Sequence, residues 1–105
     1  MHEGSREEAF AHFAAEFINR ESNRQSLITV TRVTMSSDNK RADVFLTVFP
    51  DDKADGVMHF LKRQVSEFRD FVKSQTRGKF VPMFNFVYDV GEKNRQEIDA
   101  LSYKG

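Results

Sequence analysis

Lys62 to Lys79, running straight into Phe80-Val81-Pro82-Met83-Phe84-Asn85-Phe86-Val87-Tyr88-Asp89, is the stretch on which the fold turns. Apolar side chains recur at Val65, Phe68 and Val72, continuing Val57, Met58 and Leu61 upstream, and Phe60 and Phe71 widen the stripe. That spacing predicts one buried face of a long helix from about Val57 to Arg77, with Gly78 as its stop. The pattern then changes to period two, because Phe84, Phe86 and Tyr88 alternate with Asn85 and Val87. A strand is therefore expected over Phe80 to Asp89.

Working outward, Leu27 to Met35 is rich in β-branched residues, and Arg41 to Phe49 alternates Ala42, Val44, Leu46 and Val48 against Asp43, Phe45, Thr47 and Phe49. Between them Ser36-Ser37-Asp38-Asn39-Lys40 is turn chemistry, which predicts an antiparallel hairpin. Upstream, Ser5 with Glu8 forms a capping-box pattern, and Phe10, Phe13, Ala14, Phe17 and Ile18 follow at helical spacing. A first helix is expected from about Arg6 to Arg20. Pro50 breaks the second strand, and Asp51, Asp52 and Asp55 suit the positive end of the next helix. Phe13, Phe17, Val44, Leu46, Leu61, Val65, Phe68, Phe84 and Phe86 should share one core. The organisation expected is an extension over 1–5, one domain over 6–90, and a polar tail over 91–105 with a short helical pattern around Ile98 and Leu101. A chain of 105 residues accommodates one such domain.

The net charge is zero, yet the charge is unevenly placed. Residues 1–19 carry one base and four acids, residues 20–79 carry twelve and eight, and residues 80–105 carry three and four. Lys62 to Lys79 alone holds Lys62, Arg63, Arg69, Lys73, Arg77 and Lys79 against Glu67 and Asp70. On a regular helix Lys62, Ser66, Arg69, Lys73 and Arg77 fall on one stripe, about a quarter turn from the apolar one. An ordinary solvated face would intersperse acids there, whereas polyanion binding needs cations set against phosphates.

Catalytic signals are sparse. His2, His12 and His59 are scattered with no metal-ligand spacing, and the Asp residues after Pro50 are accounted for as helix-opening acids. There is no cysteine, no glycine-rich phosphate loop and no nucleophile elbow. No metal, cofactor or small-molecule substrate is expected. Without an apolar run of membrane length or a signal-type N-terminus, a cytoplasmic protein away from membranes is expected.

Three stretches in order resemble the ribosome-binding factor A family of bacterial small-subunit maturation factors. They are Ile28-Thr29-Val30-Thr31-Arg32-Val33-Thr34-Met35-Ser36-Ser37-Asp38 with its Ser-x-Asp turn, Ala42-Asp43-Val44-Phe45-Leu46-Thr47-Val48-Phe49, and Val81-Pro82-Met83-Phe84-Asn85-Phe86-Val87-Tyr88-Asp89. The resemblance implies an α+β, KH-like fold of the second type, ordered helix-strand-strand-helix-(kink)-helix-strand, with a three-stranded sheet backed by helices. KH domains clamp nucleic acid with a Gly-x-x-Gly loop, which this chain lacks. The family instead interrupts a helix at an Ala-x-Gly kink, which falls here on Gln64-Val65-Ser66. A serine there could bend the helix by bonding back one turn.

The resemblance implies a monomer that assists small-subunit (30S) maturation and 16S rRNA processing by binding rRNA without catalysis. Phosphate contacts are then expected from Lys62, Arg69, Lys73, Arg77 and Lys79, with Arg32, Lys40 and Arg41 as a second group on the hairpin. The competing reading is a KH-like protein-interaction module, with the acidic first helix and tail as its working surface.

Overall fold

The computed structural model describes residues 5–21, 26–77 and 79–95. In chain order it contains helix α1 (Ser5–Glu21), strands β1 (Leu27–Met35) and β2 (Arg41–Phe49), a single 3-10 turn at Asp51–Lys53, helices α2 (Ala54–Arg63) and α3 (Val65–Thr76), and strand β3 (Met83–Tyr88). Residues 90–95 are again helical. The sheet order is β1-β2-β3, with β1 antiparallel to β2 and β3 parallel to it. A parallel neighbour cannot be reached by a tight turn, so α2 and α3 together form the crossover. The chain is thus a single α+β domain whose three-stranded sheet is backed by helices.

The alternation in β2 puts Ala42, Val44, Leu46 and Val48 on the helix-facing side, all buried, joined there by Phe84 and Phe86 of β3. α1 contributes Phe10, Ala14, Phe17 and Ile18, and the crossover contributes Leu61, Phe68 and Val72. Phe68 is the hub. It is completely buried, and its ring lies 4.7 Å from that of Phe84, 5.4 Å from Phe17 and 5.5 Å from Phe86. Such edge-to-face and tilted pairs add about 0.5–1.5 kcal/mol each beyond the burial itself. All nine expected core residues join this cluster, with Phe13 and Val65 half-buried at its margin.

The crossover begins earlier than Val57 and is not one helix. At Gln64 the backbone turns to φ −96°, ψ 4°, and its N–H donates to the Leu61 carbonyl at 2.9 Å, one residue short of the helical partner. The Gln64 carbonyl then accepts from Phe68 N–H at 2.9 Å and restarts the helix. The interruption therefore lies at Gln64, the first residue of the segment Gln64-Val65-Ser66. Ser66 is exposed, and no back-bond from its hydroxyl contributes among the described residues.

β3 is shorter than the sequence pattern suggests. Phe80 to Pro82 lies outside the ladder, which starts at Met83, whose N–H donates to the Lys40 carbonyl at 3.0 Å. Pro82 has no N–H to give. At the end of α3, Arg77 takes the left-handed conformation, φ 54°, ψ 60°. Gly78, the expected stop, and the pattern at Ile98 and Leu101 lie outside the described residues.

Candidate nucleic-acid interface

The hairpin turn is closed by its own side chains. The Ser36 hydroxyl donates to Asp38 Oδ1 at 2.6 Å and accepts from Arg41 N–H at 3.0 Å, while Lys40 N–H donates to the same carboxylate oxygen at 3.0 Å. Asn39 takes φ 61°, a left-handed conformation that asparagine tolerates. The Ser36 hydroxyl, and then the Lys40 N–H, hold the Asp38 carboxyl below its ordinary range. Two cationic side chains, Lys40 and Arg41, thereby project from a fixed turn and are exposed.

On the other side of the sheet end, the strap leading into β3 is fixed from two directions. Arg69 Nε donates to the Pro82 carbonyl at 3.0 Å, and its Nη2 donates to the Val81 carbonyl at 2.7 Å. Arg6 Nη2 reaches the Phe80 carbonyl at 3.4 Å, and Lys79 N–H reaches the Thr76 carbonyl at 3.4 Å. Arg69 thus departs from the expected solvated stripe. It lies within α3, but its guanidinium is half-buried and spent on backbone carbonyls that the missing ladder leaves without partners.

Parallel pairing sets which chain segments lie side by side. Arg41, the first residue of β2, is opposite Met83, the first of β3. The hairpin turn, the strap from Lys79, the end of α3 and the start of α1 therefore gather at one end of the molecule. Lys40, Arg41, Arg77 and Lys79 are all exposed there, with Lys73 one turn back along α3 and Arg6 on the strap. Asp38 and Asp43 also stand at that end, the first occupied within its turn.

Lys62 is not brought into this group. It lies on the far side of the Gln64 interruption, beyond the full length of α3, about 18 Å at 1.5 Å per residue. Arg32 is also separate. It is paired with Phe45, about 13 Å along β2 from Arg41. Its guanidinium stacks 4.0 Å from the Phe45 ring centroid and its Nε is 3.5 Å from Asp89 Oδ2. A β-bulge between Val30 and Arg32 lets Thr31 donate its hydroxyl to the same Asp89 oxygen at 2.6 Å. Asp89 Oδ1 in turn accepts from Glu92 N–H at 2.9 Å, capping the helical residues 90–95.

Two residues of this end escape a reading of the sequence. Arg6 belongs to the acidic opening segment, where segment charge hides it. Phe80 reads as one more strand aromatic, but it is 60% exposed. Among the described residues no group of three or more His, Cys, Asp or Glu could hold a metal ion, and no helix is long and apolar enough to cross a membrane.

The ribosome-binding factor A family model matches residues 5–102 of the chain. The chain belongs to the ribosome-binding factor A family. A ribosome-binding factor A from Fervidobacterium nodosum is 34% identical over 78 residues, covering 73% of this chain and 62% of that protein, so the match spans less than two thirds of the relative's length. One from Pseudomonas paraeruginosa is 33% identical over 92 residues, covering 83% of this chain and 72% of its own. The crystal structure of ribosome-binding factor A from Thermus thermophilus superposes with a TM-score of 0.72 at 20% identity, covering 84% of this chain and 97% of that one. A solution structure from Thermotoga maritima gives 0.67 at 24% identity, covering 87% and 93%. At those identities the superpositions establish the family's fold. The helix interruption at Gln64 falls within the segment where the sequence resemblance places the family kink.

Proposed function

We propose that this chain binds the rRNA of the small (30S) ribosomal subunit through phosphate contacts and assists its maturation and 16S rRNA processing without catalysing a reaction. Its relatives are named for ribosome binding. The observation that carries the RNA reading is the gathering of Lys40, Arg41, Arg77 and Lys79 at one end of the sheet, with Lys73 beside them, from segments that are far apart in sequence. Phosphate contacts of this kind position an RNA and fix its register rather than read its sequence. The protein then acts as a monomeric, cofactor-free RNA-binding factor of the cytoplasm, and Lys62 and Arg32 stand outside its main contact.

Cosedimentation with small subunits on sucrose gradients at two salt concentrations tests the reading. Binding should weaken steeply at the higher salt, because displaced counterions return to the RNA. Lys73→Glu with Arg77→Glu should weaken binding and flatten the dependence of log affinity on log salt by about one unit per lost contact. The control is Glu8→Lys with Glu16→Lys on exposed positions of α1, which should bind normally. If the α1 variant loses the subunit while the basic variant keeps it, the protein-interaction reading takes over.

A further inference from the structure

Beside the basic end lies a cavity of about 310 Å³ lined by Arg6, Ala9, Phe10, Phe13, Thr76, Lys79 and Phe80. Its lining comes from the first turns of α1, the last turn of α3, and Lys79 and Phe80. The volume is at the small end of the range for ligand pockets, about 300–1,000 Å³. None of these lining residues is acidic, and two are cations. The apolar part is aromatic, with Phe13 half-buried and Phe80 exposed.

An exposed phenylalanine alone is unremarkable. Phe80 differs in how firmly its backbone is held. Its own carbonyl accepts from Arg6, the two carbonyls after it accept from Arg69, and Lys79 before it donates to Thr76. The ring thus stands beside a cavity on a strap fixed on either side, so little conformational freedom is lost when something stacks on it. Arg6 and Lys79 flank it with positive charge, and Arg77 continues that charge along the end of α3.

We propose that this cavity takes one unstacked base of a single-stranded RNA segment, with the base against Phe80 and its flanking phosphates on Lys79 and Arg6. The inference rests on the RNA reading above and adds the element that reading lacks, a contact to a base. A single-stranded nucleic acid combines a flat apolar face with a charged linkage in every unit, and aromatic platforms flanked by cations are how proteins hold it; the RNA reading above makes it RNA. Charge complementarity favours this occupant over an apolar protein segment, which would gain nothing from the two cations at the rim.

The test uses the full chain and labelled oligoadenylate, with an abasic oligonucleotide of equal length alongside, each titrated over a salt series. Phe80→Ala should weaken oligoadenylate binding by about five-fold to a hundredfold, the usual worth of one stacked base, and leave the salt slope unchanged. Phe80→Tyr should retain binding. Arg6→Gln with Lys79→Gln should flatten the slope on both oligonucleotides. On the abasic oligonucleotide, Phe80→Ala should match the wild type. Phe80→Ala binding oligoadenylate like the wild type would overturn the base pocket while leaving the phosphate surface standing. Equal losses on both oligonucleotides would also overturn it, as would a loss confined to intact subunits, which would mark Phe80 as a protein contact. A wild-type chain that binds neither RNA at any salt would bring down the RNA reading itself and the pocket with it. A thermal midpoint for Phe80→Ala close to the wild type confirms that the comparison is between folded proteins.

Discussion

Arg69 and Arg77 lie two turns apart and look alike in sequence, yet they do different work. Arg69 closes two backbone carbonyls, while Arg77 ends its helix in the left-handed conformation with its side chain exposed. Reversing Arg69 would therefore damage the fold before it reported on RNA. Arg69→Gln should lower stability by at least about 2 kcal/mol, since each hydrogen bond from a charged donor contributes about 1.5–3 kcal/mol and the carbonyls would be stranded. Arg69→Lys should recover part of that, because an ammonium lacks the planar fork that spans both acceptors. Urea unfolding would show it, and an unchanged midpoint for Arg69→Gln would contradict the assignment. Asp89 is held by hydrogen bonds on both carboxylate oxygens. The Thr31 hydroxyl, then the Glu92 N–H and the Arg32 cation, favour its ionised form against the opposing effect of burial, so its carboxyl titrates below the ordinary value of about 3.9. In the unfolded chain that carboxyl takes up its proton first as the pH falls. The stability it contributes is therefore complete above about pH 5 and is lost as the pH drops through the lowered folded value. Asp89→Asn should cost about 1–3 kcal/mol at neutral pH and make acid unfolding less steep between pH 4 and pH 2.

The elements themselves were largely legible, because periodicity reports burial directly. Ala42, Val44, Leu46 and Val48 announced the inner face of β2, and Phe10, Phe17 and Ile18 that of α1. The faults arose where backbone hydrogen bonding, which no periodicity records, decides the matter. Gln64 halts a helix whose apolar spacing runs on across it, so the straight-helix phases placed Lys62 on a stripe it does not share with Lys73. The start of β3 was hidden for a similar reason, since Phe80 to Pro82 looks like strand but bonds to Arg6 and Arg69 instead. The candidate site was legible as charge and not as geometry. Lys73, Arg77, Lys79, Lys40 and Arg41 could be named, but Arg6 joins them only through packing, and Arg69 leaves them. Phe86→Ala removes a ring buried against Phe68 and should cost about 3–5 kcal/mol, and Phe84→Ala a similar amount. Thermal melts in which neither midpoint moves would mean that the sheet faces the other way.

For the molecule as a whole, the parallel pairing of β3 with β2 sets an order in time. The β1–β2 hairpin closes through the five-residue span from Ser36 to Lys40, whereas Met83 must find Arg41 across the entire crossover. Closing that longer loop costs more chain entropy, and topologies dominated by distant pairings fold more slowly. Phe84 and Phe86 are thus the last phenylalanines to leave a translating ribosome, and Phe68 packs against both. A chain emerging from synthesis holds a hairpin and unsupported helices until Tyr88 is free, and only then can its basic end assemble. Competence to bind is in this sense a checkpoint on completeness, because Lys40 and Lys79 come together only when the final strand has docked. A fragment ending at Pro82 should accordingly show weak near-ultraviolet dichroism and no cooperative melt, while one ending at Arg95 should show both.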